Sequence, residues 1–246
     1  MTKLPKVKFK LPTIKKEAEI MTSFCKPQKT GWDWSEVIYR NHRELGEILK
    51  DKKSDEYYKY IYKYSSSYVK KDKKKLEKLV KEYQKKWDKI NDEYLEALSE
   101  HFETKYPADR KIITAYVSIV PIFPRFLDSW SFNVTYKNID FAMRISMHEI
   151  VHFLYFKKWM EVFPKTKKEE LNNPHLIWRL SEILDPIILN HNKDIQKIFE
   201  SKHWHYYEFQ KVKIGKKTMI EHIEDLYKKH LRTPQELPVL FGTGMN

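Results

Sequence analysis

His148-Glu149-Ile150-Val151-His152 places two imidazoles four residues apart. On a helix that spacing stacks them one turn above each other on a single face. The glutamate after the first histidine points to the side of the pair. Two imidazoles so arranged can grip one zinc ion, and a carboxylate beside them can activate the water on it. The chemistry implied is metal-dependent hydrolysis, with a peptide bond as the target expected first.

The surroundings strengthen that reading. From Ile139 to Phe156 no glycine or proline interrupts the chain, and Asn138 or Asp140 can cap the start of a helix. Met143, Ser146, Met147, Ile150, Phe153 and Leu154 cover the side away from the histidines, while Phe141, Ile145, Tyr155 and Trp159 share theirs. A helix apolar nearly all round is a buried one. Two imidazoles and a carboxylate buried without partners would each cost about 1–3 kcal/mol, a cost that a metal removes. The alternative is two core histidines bonded to backbone carbonyls, with Glu149 at the surface.

A catalytic zinc has three protein ligands and a water. The extension that supplies a third histidine in metzincins needs Gly and His where this chain has Tyr155 and Lys158. Cys25, in Thr22-Ser23-Phe24-Cys25-Lys26, does not sit in a deformylase-type segment. A glutamate on a second helix remains. Asn173-Pro174 reads as an N-cap and first helical residue, and the following residues have helical period to Asp185. Leu176, Ile177, Leu180, Ile183, Leu184 and Ile187 form its apolar side; His175, Trp178, Arg179, Glu182 and Asp185 share the other. Glu182 lies at the centre of that face. Glu169 and Glu170, in the charged loop after Lys165, and His175 are its rivals.

With His148, Glu149, His152 and Glu182 in these places, residues 110–190 or so resemble the gluzincins, zinc peptidases with two histidines on one helix and a glutamate on a following one. The resemblance implies zinc held by His148, His152 and Glu182, with Glu149 as general base. It also implies a downstream His or Tyr that donates to the developing oxyanion. His205 and Tyr206, in His203-Trp204-His205-Tyr206-Tyr207, are the local candidates, and Tyr155 is a further one. Many gluzincins carry an acidic residue one turn beyond the ligand; here Asp185 follows after three residues rather than four, placed to support a ligand histidine. Ahead of the motif, Lys111–Val120 reads as a buried strand and Trp130–Tyr136, alternating apolar and polar, as a half-exposed one. Strand, loop, strand and helix is the order of gluzincin catalytic units, whose edge strand pairs with the substrate backbone.

The expected fold is α+β, mostly helical, with a small sheet packed on the active-site helix and the glutamate helix after it. With 246 residues, one domain or one plus a helical extension is expected. Only 5 glycines and 15% aromatic residues favour tightly packed helices. Residues 1–30 read as a basic, loosely ordered arm, 31–107 as a helical region and 108–246 as the catalytic region. Within them, helices are expected over Gly31–Leu49, Asp55–Tyr64, Ser66–Glu103, Lys193–Glu208 and Lys217–Leu231. Pro186 is expected to break or kink its helix, and Thr233–Asn246 to form an extended tail. The single cysteine excludes an internal disulfide. Met1–Ile20 has lysines throughout and no apolar core, and no apolar run approaches a membrane span. A cytoplasmic protein is the expectation.

The net charge is +13, with lysines concentrated at Lys70–Lys75 and Lys85-Lys86. Without a nucleic-acid motif these read as a solvated helix face, so the expected partner is a peptide or protein substrate and not nucleic acid. Two alternatives stay open. One is a regulatory protease that cleaves a specific intracellular protein, though no DNA-binding helix-turn-helix accompanies the motif. The other is a basic helical binding protein whose H-E-x-x-H is structural or incidental.

Overall fold

The computed structural model describes residues 4–26 and 33–230. In chain order the elements are β1 (Lys6–Lys10), α1 (Ile14–Cys25), α2 (Ser35–Asn41), α3 (Arg43–Leu49), α4 (Tyr57–Trp87), α5 (Asn91–His101), β2 (Ile112–Ser118), β3 (Arg125–Phe126), β4 (Ser131–Thr135) and α6 (Ile139–Val162). A 3-10 turn over Lys168–Leu171 precedes α7 (Leu176–His191), α8 (Lys193–Ile198), α9 (Tyr207–Lys211), the two-residue strands β5 (Lys213–Ile214) and β6 (Lys217–Thr218), and α10 (Met219–His230). The α+β expectation holds: 61% of the chain is helical, with a small mixed sheet. The chain divides into two compact units. One takes the described residues up to Asp92 together with Tyr106–Glu149; the other takes Glu93–Lys105 and the described residues from Ile150 on.

The first unit contains a four-stranded sheet in the order β1-β2-β4-β3, in which β1, β2 and β4 run parallel and β3 antiparallel to β4. Its β1 and α1 fall in the stretch expected to be a loose arm. The alternation of Lys6-Val7-Lys8-Phe9-Lys10 buries Val7 and Phe9 and leaves the lysines outside. The outer edge of β1 is closed by side chains rather than by another strand. Val7 N–H donates to Asn91 Oδ1 at 3.0 Å, Phe9 N–H donates to Gln84 Oε1 at 2.9 Å, and Gln84 Nε2 donates back to the Val7 carbonyl at 3.0 Å. Two amide side chains therefore satisfy an edge that would otherwise template further strands.

Helix α1 is held by a buried carboxylate. Glu17 Oε1 accepts from Ser118 Oγ, Ile119 N–H and Val120 N–H at 2.8, 2.7 and 3.2 Å. Burial, the largest influence, pushes the Glu17 pKa up to about 7 against the pull of these donors. Around it Ala18, Ile20, Met21 and Cys25 pack with Ile38, Leu45, Leu49 and Ile61 into one apolar cluster.

Several boundaries differ from the sequence reading. The two helices expected over Asp55–Tyr64 and from Ser66 are one, α4, and it stops at Trp87 rather than near Glu103. The chain turns at residues 88–90 because Asn91 is taken up elsewhere: its Oδ1 also accepts from Trp87 Nε1 at 2.9 Å, and its Nδ2 donates to the Pro5 carbonyl. Strand β4 is buried along its whole length rather than half-exposed: its side chains are covered on both faces of the sheet, and β2 and β3 pair with its two edges. The helix expected over Gly31–Leu49 is two, α2 and α3, meeting at His42; residues 31 and 32 lie outside the described chain. The helices expected over Lys193–Glu208 and Lys217–Leu231 appear as α8, α9 and α10, with the β5–β6 hairpin turning at Gly215, whose φ of +63° suits glycine. The expected tail Thr233–Asn246 falls outside the described residues.

In the second unit, Tyr155 stacks on Trp159 and Trp159 packs on Phe163 along α6. Thr104 Oγ1 donates to Glu161 and accepts from Lys157, which ties the segment after α5 to α6. Helix α10 packs on α7, where His191 Nε2 meets Glu224 Oε1 at 2.8 Å. No helix among the described residues is long and apolar enough to cross a membrane.

Candidate metal centre

Helix α6 begins as its sequence suggests. Asn138 is the cap: its Oδ1 accepts from Phe141 N–H at 2.8 Å and its carbonyl from Ala142 N–H at 2.9 Å. Asp140, the other candidate cap, instead pairs with Lys86. The boundary between the two units falls within α6, between Glu149 and Ile150. His148 and His152 nevertheless stand one turn apart on one unbroken helix, so its geometry alone fixes their relation. His152 is fully buried and Glu149 nearly so, whereas His148 is half-buried. The His152 ring stacks on Phe156 with centroids 5.9 Å apart and planes 15° apart.

Helix α7 supplies the acidic side chains. It begins at Leu176 rather than at Pro174, because the chain first closes a turn from His175 N–H to the Asn172 carbonyl. Pro186 does not break it. The helix runs on to His191, with Ile183, Leu184, Ile187, Ile188 and Leu189 buried on both sides of the proline. Tertiary burial outweighs the one backbone hydrogen bond that proline removes. On this helix Glu182 and Asp185 are both almost wholly buried.

His152 Nε2 lies 3.4 Å from Glu182 Oε1 and 3.3 Å from Asp185 Oδ2. A charge-assisted hydrogen bond between such groups would be shorter, about 2.7–2.9 Å. Nitrogen and oxygen ligands about 2.0–2.1 Å from a tetrahedral zinc stand roughly 3.4 Å from each other. The spacing is that of neighbouring ligands. His148, His152 and Asp185 offer donor atoms that all lie within 4.8 Å of one another, and they form a group that could hold a metal ion. Two neutral imidazoles and a carboxylate suit zinc and other borderline divalent cations.

The expected residues divide accordingly. His148 and His152 come together. Asp185, expected as a supporting carboxylate, joins them directly, while Glu182 approaches His152 but is not part of the three-membered group. The signal for Asp185 was present in the sequence, since residues three apart on a helix share a face. His175 is exposed at the N-cap of α7, Glu169 is exposed in the 3-10 turn, and Glu170 accepts there from Lys167 N–H, so none of the three rivals joins the group. His205 Nε2 donates to the Ile183 carbonyl on α7 at 3.1 Å, and burial pulls its pKa below the usual histidine range. Tyr206 is the N-cap of α9 and packs edge-on against Phe209. Tyr155 belongs to the aromatic core, its hydroxyl pKa driven well above the ordinary value by burial.

Comparison with known protein families, with characterised proteins and with solved structures finds no match.

Proposed function

We propose that this chain is a zinc-dependent peptidase of gluzincin-like type, which hydrolyses a peptide or protein substrate. The observation that carries the reading is the ligand-like spacing around His152 Nε2, 3.3–3.4 Å from two buried carboxylates, on a helix whose preceding turn bears His148. His148, His152 and Asp185 would hold the ion, with Glu182 beside them as the second carboxylate. When bound, zinc lowers the pKa of its water toward neutrality and polarises the carbonyl of the scissile bond. Glu149 is the base: its carboxylate, next to the first ligand, takes a proton from water and returns it to the leaving nitrogen. The buried setting of Glu149 strengthens each electrostatic interaction it makes there. His148, half-buried, is the less enclosed of the two histidines. Neither His205, whose Nε2 holds α7, nor Tyr206, which caps α9, enters the proposed reaction.

Glu149→Gln separates the roles. It removes the base and no ligand, so the variant retains zinc and loses hydrolysis of a mixed peptide library read by mass spectrometry. Zinc lost together with activity would mean that Glu149 helps to hold the metal and that the division of roles is wrong. Full activity in the variant would refute the mechanism.

A further inference from the structure

An exposed apolar group lies in the second unit, outside the metal centre. Trp204 and Tyr207 are 64% and 66% exposed, Val212 and Ile214 45% and 48%. Helix α9 turns its buried Phe209 inward, and Tyr207 and Lys211 each lie about 160° round from it, on the outer side. Lys211 Nζ sits over the Tyr207 ring, 4.0 Å from its centroid. The chain leaves the helix extended at Val212, whose carbonyl accepts from Met219 N–H at 2.7 Å and adds a rung to the β5–β6 hairpin. Val212 and Ile214, two residues apart on that strand, share one of its faces. Ile214 stands at the hairpin's tip, beside Gly215. Lys202, Lys211, Lys213 and Lys216 are exposed in the same stretch, against one acidic residue, Glu208. Lys217 is held by Asp225.

We infer that α9 and the β5–β6 hairpin dock together on the surface of an anionic lipid bilayer. Their composition is that of an interfacial element. Trp and Tyr side chains sit at headgroup depth, aliphatic ones enter the acyl boundary, and lysines between them meet the charged groups of the lipid. The four exposed lysines supply the charge that complements an anionic surface. A protein partner fits less well, because the core of a protein interface is depleted in lysine. Here lysines alternate with the apolar side chains, as Lys211-Val212-Lys213-Ile214. A nucleic-acid strand stacks its bases on open aromatic faces. Lys211 already covers a face of Tyr207, and Val212 and Ile214 would have no part in such stacking. The inference is independent of the zinc reading, because no residue of the segment belongs to the metal centre.

Sedimentation of the full chain with phosphatidylcholine vesicles, with and without phosphatidylserine, tests it. The chain is expected to bind the vesicles that contain phosphatidylserine and to be released by salt. Each lysine near such a surface counts for roughly five-fold in binding, so replacing Lys211, Lys213 and Lys216 together by Gln lowers it roughly a hundred-fold. Val212→Ser with Ile214→Ser weakens binding roughly ten-fold or more. Both side chains are exposed, so melting temperature and zinc content stay as in wild type. Lipids brominated in their acyl chains quench part of the wild-type tryptophan fluorescence, and Trp204→Phe loses that quenching while it still binds. A wild type that stays in the supernatant with phosphatidylserine vesicles overturns the inference. So does vesicle binding indifferent to the serine pair or to the three glutamines, which would place the contact on other lysines. A solution dimer dissolved by the serine pair, in place of vesicle binding, overturns it in favour of a second copy.

Discussion

At the residue scale the account rests on His152, whose Nε2 faces two carboxylates at 3.3 and 3.4 Å. Of these, Asp185 lies within 4.8 Å of both histidine donors as a member of the group, which makes it the stronger candidate for third ligand. Asp185→Ala should therefore lower zinc affinity by more than Glu182→Ala, as measured by competition with a chromophoric chelator. The reverse order would return the ligand role to Glu182. The histidine pair was legible in the sequence because its spacing acts through helix geometry alone. The choice between Glu182 and Asp185 was not, since both lie on one face and only the packing of α7 decides which reaches further. Glu17 offers a prediction of another kind. Its folded pKa, about 7, lies above the ordinary carboxylate value of 4.5, so the fold favours the protonated form. Its contribution is complete below about pH 4.5 and is lost as pH rises through 7, at up to about 1.4 kcal/mol per pH unit. Glu17→Gln mimics the protonated side chain. Its melting temperature relative to wild type should climb between pH 5 and about 7.5; a difference that stays flat with pH would contradict the assignment.

At the element scale, the strand that the sequence concealed depends most on other elements. The alternation in Lys6–Lys10 is visible, but five residues rich in lysine, flanked by Pro5 and Pro12, carry no sign of a partner. The partner is β2, more than 100 residues away in sequence, and the outer edge is closed by Asn91 and Gln84. Asn91→Ala orphans the buried Val7 N–H and Trp87 Nε1–H together, and should cost about 2–5 kcal/mol in urea unfolding. Gln84→Ala leaves its strand groups closer to water and should cost less. An Asn91→Ala variant within 0.5 kcal/mol or so of wild type would mean that the edge is not held this way. The same asparagine explains why helical periodicity misplaced the end of α4. Residues 88–90 contain no helix breaker, and the turn there follows from a side chain recruited by a distant strand. By contrast α6, long, apolar and capped by Asn138, was legible from end to end of its motif.

At the scale of the whole molecule, the mostly helical α+β character followed from few glycines and many aromatic residues. The division into two units with interleaved segments did not, because Glu93–Lys105 joins the second through contacts made far along the chain, such as Thr104 with Glu161. A ligand that binds only the folded state stabilises it in proportion to the logarithm of its concentration. Zinc at about a hundred times its dissociation constant should add roughly 2.7 kcal/mol to unfolding, and a chelator should reverse the gain. Half-buried His101, its pKa pulled down to about 4 by the desolvation of its ring, stays neutral in the fold, so its contribution is complete above about pH 6.5 and is lost as the pH falls toward 4. The zinc titration therefore belongs near neutral pH, where that loss does not enter. The most direct test of the central claim is the metal content of the purified chain by mass spectrometry, beside that of a His148→Ala, His152→Ala double variant. The account predicts one zinc per wild-type chain and none in the folded variant. A wild type that takes up no zinc, or a variant that keeps a full equivalent, would contradict it.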